Sequence, residues 1–153
     1  MEIVEIQSNK GFICDTILRL LPQWFGIEKH IEGYVSKVAD LPMFGCLIER
    51  DVAGLLSLKP HSEFAAEIYV IGVKPEQHRR GIGRRLILAV EDYAKERGID
   101  FITVKTLSSS IDYEPYEKTR QFYSSMGFVP IEELPNLSDP ENPMVMLLKP
   151  VSS

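Results

Sequence analysis

The fold is decided by the stretch Ile71-Gly72-Val73-Lys74-Pro75-Glu76-Gln77-His78-Arg79-Arg80-Gly81-Ile82-Gly83-Arg84-Arg85-Leu86. A β-rich run ends at Val73, and a turn through Pro75 follows it. Gly81 and Gly83 then open a helix, because apolar residues recur from there at helical spacing. These residues are Ile82, Leu86, Val90, Tyr93 and Ala94. The stretch therefore predicts a strand, a glycine-containing turn and a long amphipathic helix.

Basic residues crowd the start of this helix, where the helix dipole already leaves partial positive charge. They are Arg79, Arg80, Arg84 and Arg85. The four cations repel one another unless an anion lies among them, and the free N–H groups of a first helical turn bind phosphate. Gly81 and Gly83 let a ligand approach the backbone. We interpret the turn as a phosphate cradle, with a solvated basic helix start as the alternative.

The composition is typical of one globular domain, which we expect to span residues 1–153. Lys and Arg number 17 against 22 Asp and Glu, and the formal charge of −5 argues against nucleic acid as the main partner. Cys14 and Cys46 lack metal-ligand spacing and are interpreted as reduced core residues. The sequence shows no leader pattern and no apolar run of membrane length, so we expect a cytoplasmic protein without a membrane partner.

Upstream of the deciding stretch, the patterns predict a strand, two helices and three strands. The ranges are Glu2–Ile6, Ser8 or Asn9 to Leu21, Glu28–Val38, Met43–Glu49, Val52–Lys59 and Phe64–Val73. Arg50-Asp51 is predicted to form a tight hairpin turn, and Gly72 indicates a bulge or a close backbone approach. The aromatic loop Gln23-Trp24-Phe25-Gly26 is interpreted as a plug between the two helices, with a wall of a substrate pocket as the alternative.

Downstream, the patterns predict two further crossovers and a closing hairpin. The ranges are a strand over Phe101–Thr106, a helix from Pro115 to a C-terminal Gly127, a strand over Phe128–Ile131, an acidic loop over Glu132–Pro143 and a strand over Met144–Leu148. The order is β-α-α-β-β-β-α-β-α-β-β. Hairpin neighbours pair antiparallel and strand–helix–strand crossovers pair in parallel. The prediction is an α/β fold with a mixed, mostly antiparallel sheet flanked by helices.

Two motifs in this order resemble the GNAT family of N-acetyltransferases. One is similar to the family's acyl-CoA pyrophosphate motif, Gln/Arg-x-x-Gly-x-Gly/Ala, and reads His78-Arg79-Arg80-Gly81-Ile82-Gly83. The other is similar to its second signature, a helix ending Phe-Tyr-x-x-x-Gly-Phe, and reads Thr119-Arg120-Gln121-Phe122-Tyr123-Ser124-Ser125-Met126-Gly127-Phe128. The similarity spans essentially the whole chain and implies the single-domain fold of that family.

The resemblance also implies acetyl-CoA as the co-substrate. Ile71 and Val73 would offer backbone groups to the pantetheine arm, and a bulge at Gly72 would expose an N–H as an oxyanion donor. Tyr116 stands where many members carry an asparagine that contacts pantetheine. The pyrophosphate would be held by His78, Arg79, Arg80, Gly81, Ile82, Gly83 and Arg84.

Tyr123 and Glu67 are the candidate catalytic side chains. A CoA thiolate, with an ordinary pKa of about 8.5, would take a proton from the phenol of Tyr123, whose alternative role is a core aromatic. An alkylammonium of pKa about 10.4 must lose a proton before it attacks. Glu67 lies where some family members place a general-base glutamate, and its alternative is a solvent-facing residue. His61 is a weaker candidate, and a metal site from His61, Glu63 and Glu67 is disfavoured.

The expected function is transfer of an acetyl group from acetyl-CoA to a primary amine by direct attack, without a metal. The alternative is a non-catalytic acyl-CoA-binding regulatory module; a P-loop nucleotide hydrolase is disfavoured because no Gly-Lys-Ser/Thr follows the loop. The acceptor is expected to be a small-molecule or peptide amine. Acidic loops over Asp112–Glu117 and Glu132–Glu141 would attract a cationic amine. By family resemblance the protein could form a homodimer.

Overall fold

The computed structural model describes residues 1–137 and 139–151, whose elements follow one another as the sequence predicts. The strands are β1 (Glu2–Ile6), β2 (Met43–Ile48), β3 (Asp51–Pro60), β4 (Ala65–Val73), β5 (Phe101–Leu107), β6 (Val129–Leu134) and β7 (Met144–Pro150). The α-helices are α1 (Lys10–Leu18), α2 (Glu28–Val38), α3 (Ile82–Glu96) and α4 (Glu114–Ser125). In this part of the chain, no helix has the length and apolar character needed to cross a membrane.

The strands form one sheet in the order β1-β2-β3-β4-β5-β7-β6. β4 and β5 pair in parallel, because α3 carries the chain back across the sheet between them. The other neighbouring pairs are antiparallel. The predicted α/β fold with a mixed, mostly antiparallel sheet is confirmed.

The core has one apolar layer on each face of the sheet. On the first, which we call the α3 face, α3 and the end of α4 pack on the strands. The stripe predicted for α3 is buried there, with Ile82, Leu86, Val90 and Ala94 in the layer and Tyr93 at its edge. On the second, which we call the α1–α2 face, the buried residues include Ile17, Leu18 and Val38. Burying each large aliphatic side chain stabilises the fold by about 1.5–3 kcal/mol, so both layers contribute substantially to stability.

A cleft opens in the sheet between β4 and β5. Their parallel ladder joins Ala65–Ile68 to Phe101–Val104 and goes no further. Beyond it, β4 continues along β3 as far as Val73, while β5 continues along β7. The two strands therefore diverge towards their C-terminal ends, where the backbone of each faces open space.

A bulge in β4 accompanies this divergence. Val70 pairs with Ser57 and Ile68 with Leu58, so Tyr69 is the extra residue. An extra residue bends a strand and strengthens its local twist. The bulge predicted at Gly72 is therefore wrong in position, since Gly72 pairs regularly with Leu55.

The alternative reading of Gly72, a close approach, fits the structure. A Cβ on Gly72 would lie 3.1 Å from Leu21 Cδ1 and 3.3 Å from Ile17 Cγ2. The neighbours are side chains of α1 and of the turn that follows it. Gly72 thus lets the N-terminal helix lie close to β4 beside the cleft.

Two predicted boundaries in the N-terminal half are wrong by a few residues. The β2–β3 hairpin turns at Glu49-Arg50, with φ of 52° and 74°, instead of at Arg50-Asp51. Two central residues with positive φ are typical of a type I′ turn. α1 ends at Leu18, before the predicted Leu21, because the chain passes into turns before Pro22.

The predicted acidic loop begins too early in the sequence. β6 pairs with β7 as far as Leu134, so Glu132 and Glu133 belong to a strand. Ser138, Ser152 and Ser153 lie outside the described residues, and with them the middle of that loop and the last two positions of the predicted domain.

Candidate active site

A cavity of about 600 Å³ occupies the cleft between β4 and β5. Its walls come from the diverging strands, the turn before α3, α4 and the loop between α1 and α2. This volume lies in the range of small-molecule sites. Most of the residues proposed to bind acetyl-CoA line it: Ile71, Gly72, Val73, His78, Arg79, Gly81, Ile82, Gly83, Arg84 and Tyr116. Arg80 is absent from the lining.

Free backbone N–H groups gather at the start of α3. Gly81 is the N-terminal cap, and the first hydrogen bond within the helix runs from Arg85 N to Gly81 O, at 3.1 Å. The N–H groups of Ile82, Gly83 and Arg84 precede that bond and have no acceptor within the helix. The side chain of Ile82 is buried in the core, so this residue can serve a ligand only through its backbone. These three N–H groups fit a bound phosphate.

The two glycines of the turn have different physical roles. Gly81 has φ of +80°, a conformation that side chains disfavour, although a Cβ there would meet no atom within 4 Å. Gly83 is helical, but its Cβ would lie 3.1 Å from Phe122 Cζ. Gly81 therefore shapes the turn, whereas Gly83 lets α3 approach α4 closely.

The arginines of this turn remain exposed. Arg80 donates to Gln77 Oε1 at 2.6 Å, and Arg84 lies 3.7 Å from Met126 Sδ. Arg79 has φ of 65° and lines the cavity. In the part of the chain that the structure describes, none of the four arginines forms a salt bridge with a carboxylate. Positive charge at a helix N-terminus without a partner fits an anionic ligand.

His78 is held by the protein and is not free to meet a phosphate. Its Nε2 lies 2.7 Å from Val73 O, and because a carbonyl only accepts, Nε2 must carry the proton. Its ring also meets Trp24 edge-on, with centroids 5.9 Å apart. The imidazole thus braces the end of β4 against the turn.

The backbone of β4 presents alternate residues to the cleft. Lys74 N donates to Ala53 O at 2.8 Å, so Lys74 and Gly72 direct their polar groups towards β3. By the same alternation, Ile71 and Val73 direct theirs towards the cleft. The N–H of Gly72, expected to be an oxyanion donor, therefore points away from the cleft, whereas those of Ile71 and Val73 point into it.

Tyr123 is a core aromatic that also lines the cavity. Its ring packs in the α3 layer between Phe122 and Phe128, each 5.4 Å away, and only 3% of the residue is exposed. The residue nevertheless lines the cavity. Burial raises the pKa of the Tyr123 phenol well above its ordinary value of 10, so it keeps the proton that a general acid must donate.

The aromatic loop fits both interpretations, because Trp24 and Phe25 pack against the apolar layer of the α1–α2 face and also line the cavity. Trp24 lines the cavity and donates from Nε1 to Thr119 Oγ1 at 3.1 Å. Tyr116 OH donates to Trp24 O, and Tyr113 OH donates to Gln23 O, each at 2.9 Å. These bonds fasten the loop to α4 across the cleft.

Glu67 is buried, so its interpretation as a solvent-facing residue is wrong. Its side chain is 7% exposed, with Oε2 3.2 Å from Lys105 Nζ and Oε1 3.6 Å from His61 Nε2. His61 Nε2 also lies 3.2 Å from Thr103 Oγ1. Glu67 is absent from the cavity lining, whereas Lys105 is part of it. The charged group that reaches the cavity here is therefore Lys105.

Sequence reasoning missed Lys105 and Thr106. The only signal of Lys105 was a cation in the apolar strand β5. Thr106 lines the cavity, and its Oγ1 is buried without a hydrogen-bond partner among the described residues. A buried hydroxyl without a partner is costly and points to a ligand or a water. Within the same part of the chain, no three His, Cys, Asp or Glu side chains gather as metal ligands, the set His61, Glu63 and Glu67 included.

Three solved structures show the same fold. An aminoglycoside 6′-N-acetyltransferase in complex with coenzyme A has a TM-score of 0.79 and 17% identity, over 100% of this chain and 98% of its own. The ribosomal-protein-S18-alanine N-acetyltransferase of Escherichia coli has a TM-score of 0.79 and 17% identity, over 99% and 94%. A GNAT family acetyltransferase of Elizabethkingia anophelis with acetyl-CoA bound has a TM-score of 0.75 and 18% identity, over 97% of each chain.

The sequence itself gives a family assignment. No curated protein matches it significantly. The model of the Acetyltransferase (GNAT) family, however, matches residues 14–128. This range contains the cleft, the turn before α3 and the helix that carries Tyr123. The chain therefore belongs to the Acetyltransferase (GNAT) family.

Proposed function

We propose that the protein is an enzyme that transfers the acetyl group of acetyl-CoA to a primary amine by direct attack. One observation carries the proposal: a single cavity is lined both by the turn before α3, with its exposed arginines and N–H groups that lack helical acceptors, and by the buried Tyr123. Family membership supports acetyl transfer in general. The CoA and acetyl-CoA bound by two structural neighbours support the choice of donor.

In this proposal the turn before α3 binds the pyrophosphate. The N–H groups of Ile82, Gly83 and Arg84 supply hydrogen bonds, and the exposed arginines supply charge. The pantetheine arm would enter the cleft along Ile71 and Val73. His78 already occupies Val73 O. The N–H of Val73 and the backbone of Ile71 are therefore the groups free to bind that arm. Tyr116 contributes less directly, because its hydroxyl holds the cavity wall through Trp24 O.

The chemistry balances with the groups present. The nitrogen lone pair of the neutral amine attacks the thioester carbonyl carbon, and the N–H of Ile71 stabilises the oxygen that becomes negative. The C–S bond then breaks and its electron pair leaves on sulfur. Tyr123 donates a proton to that sulfur, while the new amide nitrogen releases one. The products are the N-acetylated amine and free CoA.

Glu67 remains our candidate for accepting the amine proton, although it lies behind Lys105. Direct contact with the substrate is not supported, since Glu67 does not line the cavity. A bridging water would carry the proton between them, because His61, like Glu67, is absent from the cavity lining. Glu67 is thus proposed as the end of a short relay.

The proposed acceptor is a small-molecule or peptide amine. The neighbours' names describe acetylation of an aminoglycoside and of a ribosomal-protein alanine, so small-molecule and peptide amines both qualify. The alternative of a non-catalytic module needs the cradle but no proton donor, and Tyr123 in the cavity wall favours the enzyme. The homodimer and the cytoplasmic location stay predictions.

Thiol release tests the proposal. Purified protein with acetyl-CoA and a panel of primary amines should produce free CoA in proportion to an N-acetylated product identified by mass spectrometry. The same protein without an amine is the control for simple hydrolysis. Stabilisation by acetyl-CoA without thiol release from any amine would favour the binding module.

A further inference from the structure

We propose that the acceptor is a primary amine that carries a carboxylate, as an amino acid does, and that Lys105 binds this carboxylate. The inference rests on the proposed acetyl transfer and names the class of its second substrate. The observation behind it is the charge of Lys105 and its neighbours at one end of the cavity.

The lining of the cavity includes residues of both faces of the sheet, and we call the corresponding two ends of the cavity its mouths. The cradle and Tyr123 belong to the α3 face. Tyr34 and Tyr69, whose rings lie 5.1 Å apart, belong to the α1–α2 face and line the other end. Since acetyl-CoA occupies the first mouth in the proposed function, the acceptor must approach through the second.

Lys105 lies on the acceptor side. Its neighbours along β5 alternate in direction, with Ile102 and Val104 in the α3 layer, so Lys105 points to the α1–α2 face. Its side chain is 28% exposed, while Glu67 on its inner side is 7% exposed. The ammonium group carries three N–H donors. With Glu67 behind it, donors remain for a group in the cavity.

The charge at this mouth favours an anion. Among the described residues that line the cavity there is no aspartate or glutamate. Lys59 pairs with Glu67 in the β3–β4 register and lies 5.9 Å from the Tyr69 ring centroid. Lys59 is thus a second cation beside Tyr69, and Lys105 presents positive charge to the cavity because its partner Glu67 does not line it.

The described acidic groups expected to attract a cation do not line the cavity. Glu114 pairs with Lys118 at 3.3 Å, and Glu133 accepts from Ser108 Oγ at 2.5 Å. A polycationic acceptor would therefore meet Lys105 without a compensating carboxylate in the wall. A zwitterion would place its carboxylate on Lys105 and leave its amine free to face the cleft.

Matched acceptors test the proposal. Each of several α-amino acids is compared with its amide and with the amine that lacks the carboxyl group, together with a polyamine. The wild type should use the amino acid best, and Lys105→Met should reduce its kcat/KM relative to that of the amide by about 10- to 100-fold, as expected for a charged hydrogen bond. Comparing variants on one acceptor pair cancels the intrinsic reactivity of each amine.

Two further variants separate binding from structure. Lys105→Arg keeps the charge and should retain most of the preference. Lys118→Met removes the other lysine of the cavity wall, which belongs to α4, and should leave the preference unchanged. Lys105→Met leaves the buried carboxylate of Glu67 without its lysine partner. If this variant does not fold, the double variant Lys105→Met/Glu67→Gln, which removes both charges, replaces it in the comparison.

The outcomes are distinct. Thiol release with equal use of all acceptors, a preference for the polyamine, or a preference that survives in Lys105→Met overturns the inference but leaves acetyl transfer intact. Loss of the preference in Lys118→Met would move the carboxylate to the other lysine and also overturn it. If no acceptor releases thiol, the proposed function fails and this inference fails with it.

Discussion

Single residues decide whether the cleft is catalytic, and Tyr123 is the most informative of them. Phe differs from Tyr only by the hydroxyl, so Tyr123→Phe keeps the ring packing and removes the proposed proton donor. General acid catalysis is typically worth 10²–10⁴-fold, and we expect kcat to fall within that range. Acetyl-CoA binding should change little. Steady-state kinetics with any accepted amine measure the effect, and a loss below about threefold would make Tyr123 a packing residue.

Gly81 tests the cradle independently of catalysis. At a concentration one hundred times its Kd, acetyl-CoA should stabilise the wild type by about 2.7 kcal/mol. Gly81→Glu places bulk and negative charge where the pyrophosphate binds, and this stabilisation should disappear. The measurement is the thermal shift on adding acetyl-CoA.

Gly98 offers a matched control at the other end of α3. Its φ of +70° resembles the +80° of Gly81, and neither Cβ would meet an atom within 4 Å. Both Glu variants should therefore lose about 1–2 kcal/mol through backbone strain, but Gly98→Glu should keep the full response to acetyl-CoA. An equal response in both variants would argue against the cradle.

At the scale of elements, the loop between α1 and α2 depends on its bonds to α4. Tyr116→Phe deletes the bond to Trp24 O, and we expect a loss of about 1 kcal/mol in unfolding free energy. The KM for acetyl-CoA should rise more than kcat falls, because the loop forms a wall of the cavity. Denaturant titration and kinetics measure the two effects. Tyr113→Phe removes a bond of the same length at a more exposed tyrosine, and its effect should be smaller.

The elements also show which parts of the fold local sequence determines. Helical periodicity predicted the buried stripe of α3, and glycines with clustered arginines predicted the turn before it, because these signals lie within a few residues of one another. The bulge at Tyr69 depends on pairing with β3, which no local pattern encodes. One extra residue exchanges the faces that follow it, so Ile71 and Val73 lie on the α3 face although strict alternation would put them on the face of Glu67. Lys105 was missed for the same reason: its ion pair with Glu67 joins the neighbouring strands β5 and β4, and no local pattern predicts it.

At the scale of the whole molecule, burial and partial burial favour the neutral form of several weakly acidic side chains. Burial raises the pKa of Cys14 from 9.0 to about 12 and raises the pKa values of four phenols above 10: Tyr34, Tyr69, Tyr116 and Tyr123. In the unfolded chain these groups lose their protons at their ordinary pKa values. The folded state then binds more protons than the unfolded state, so stability falls as pH rises.

The sign and the window of this effect can be checked. Stability should be fully present below about pH 9, where the unfolded thiol is still protonated, and should decrease as pH rises towards 12. Urea titrations between pH 8 and pH 11 measure the slope of the unfolding free energy against pH. Cys14→Ala removes one of two buried thiols whose pKa is raised, the other being Cys46, so the decrease between pH 9 and pH 10 should be shallower than in the wild type. Because the variant also leaves a small void, the comparison concerns slopes and not absolute stabilities. Parallel curves for the two proteins between pH 9 and pH 10 would show that burial of the thiol does not influence folding in this range.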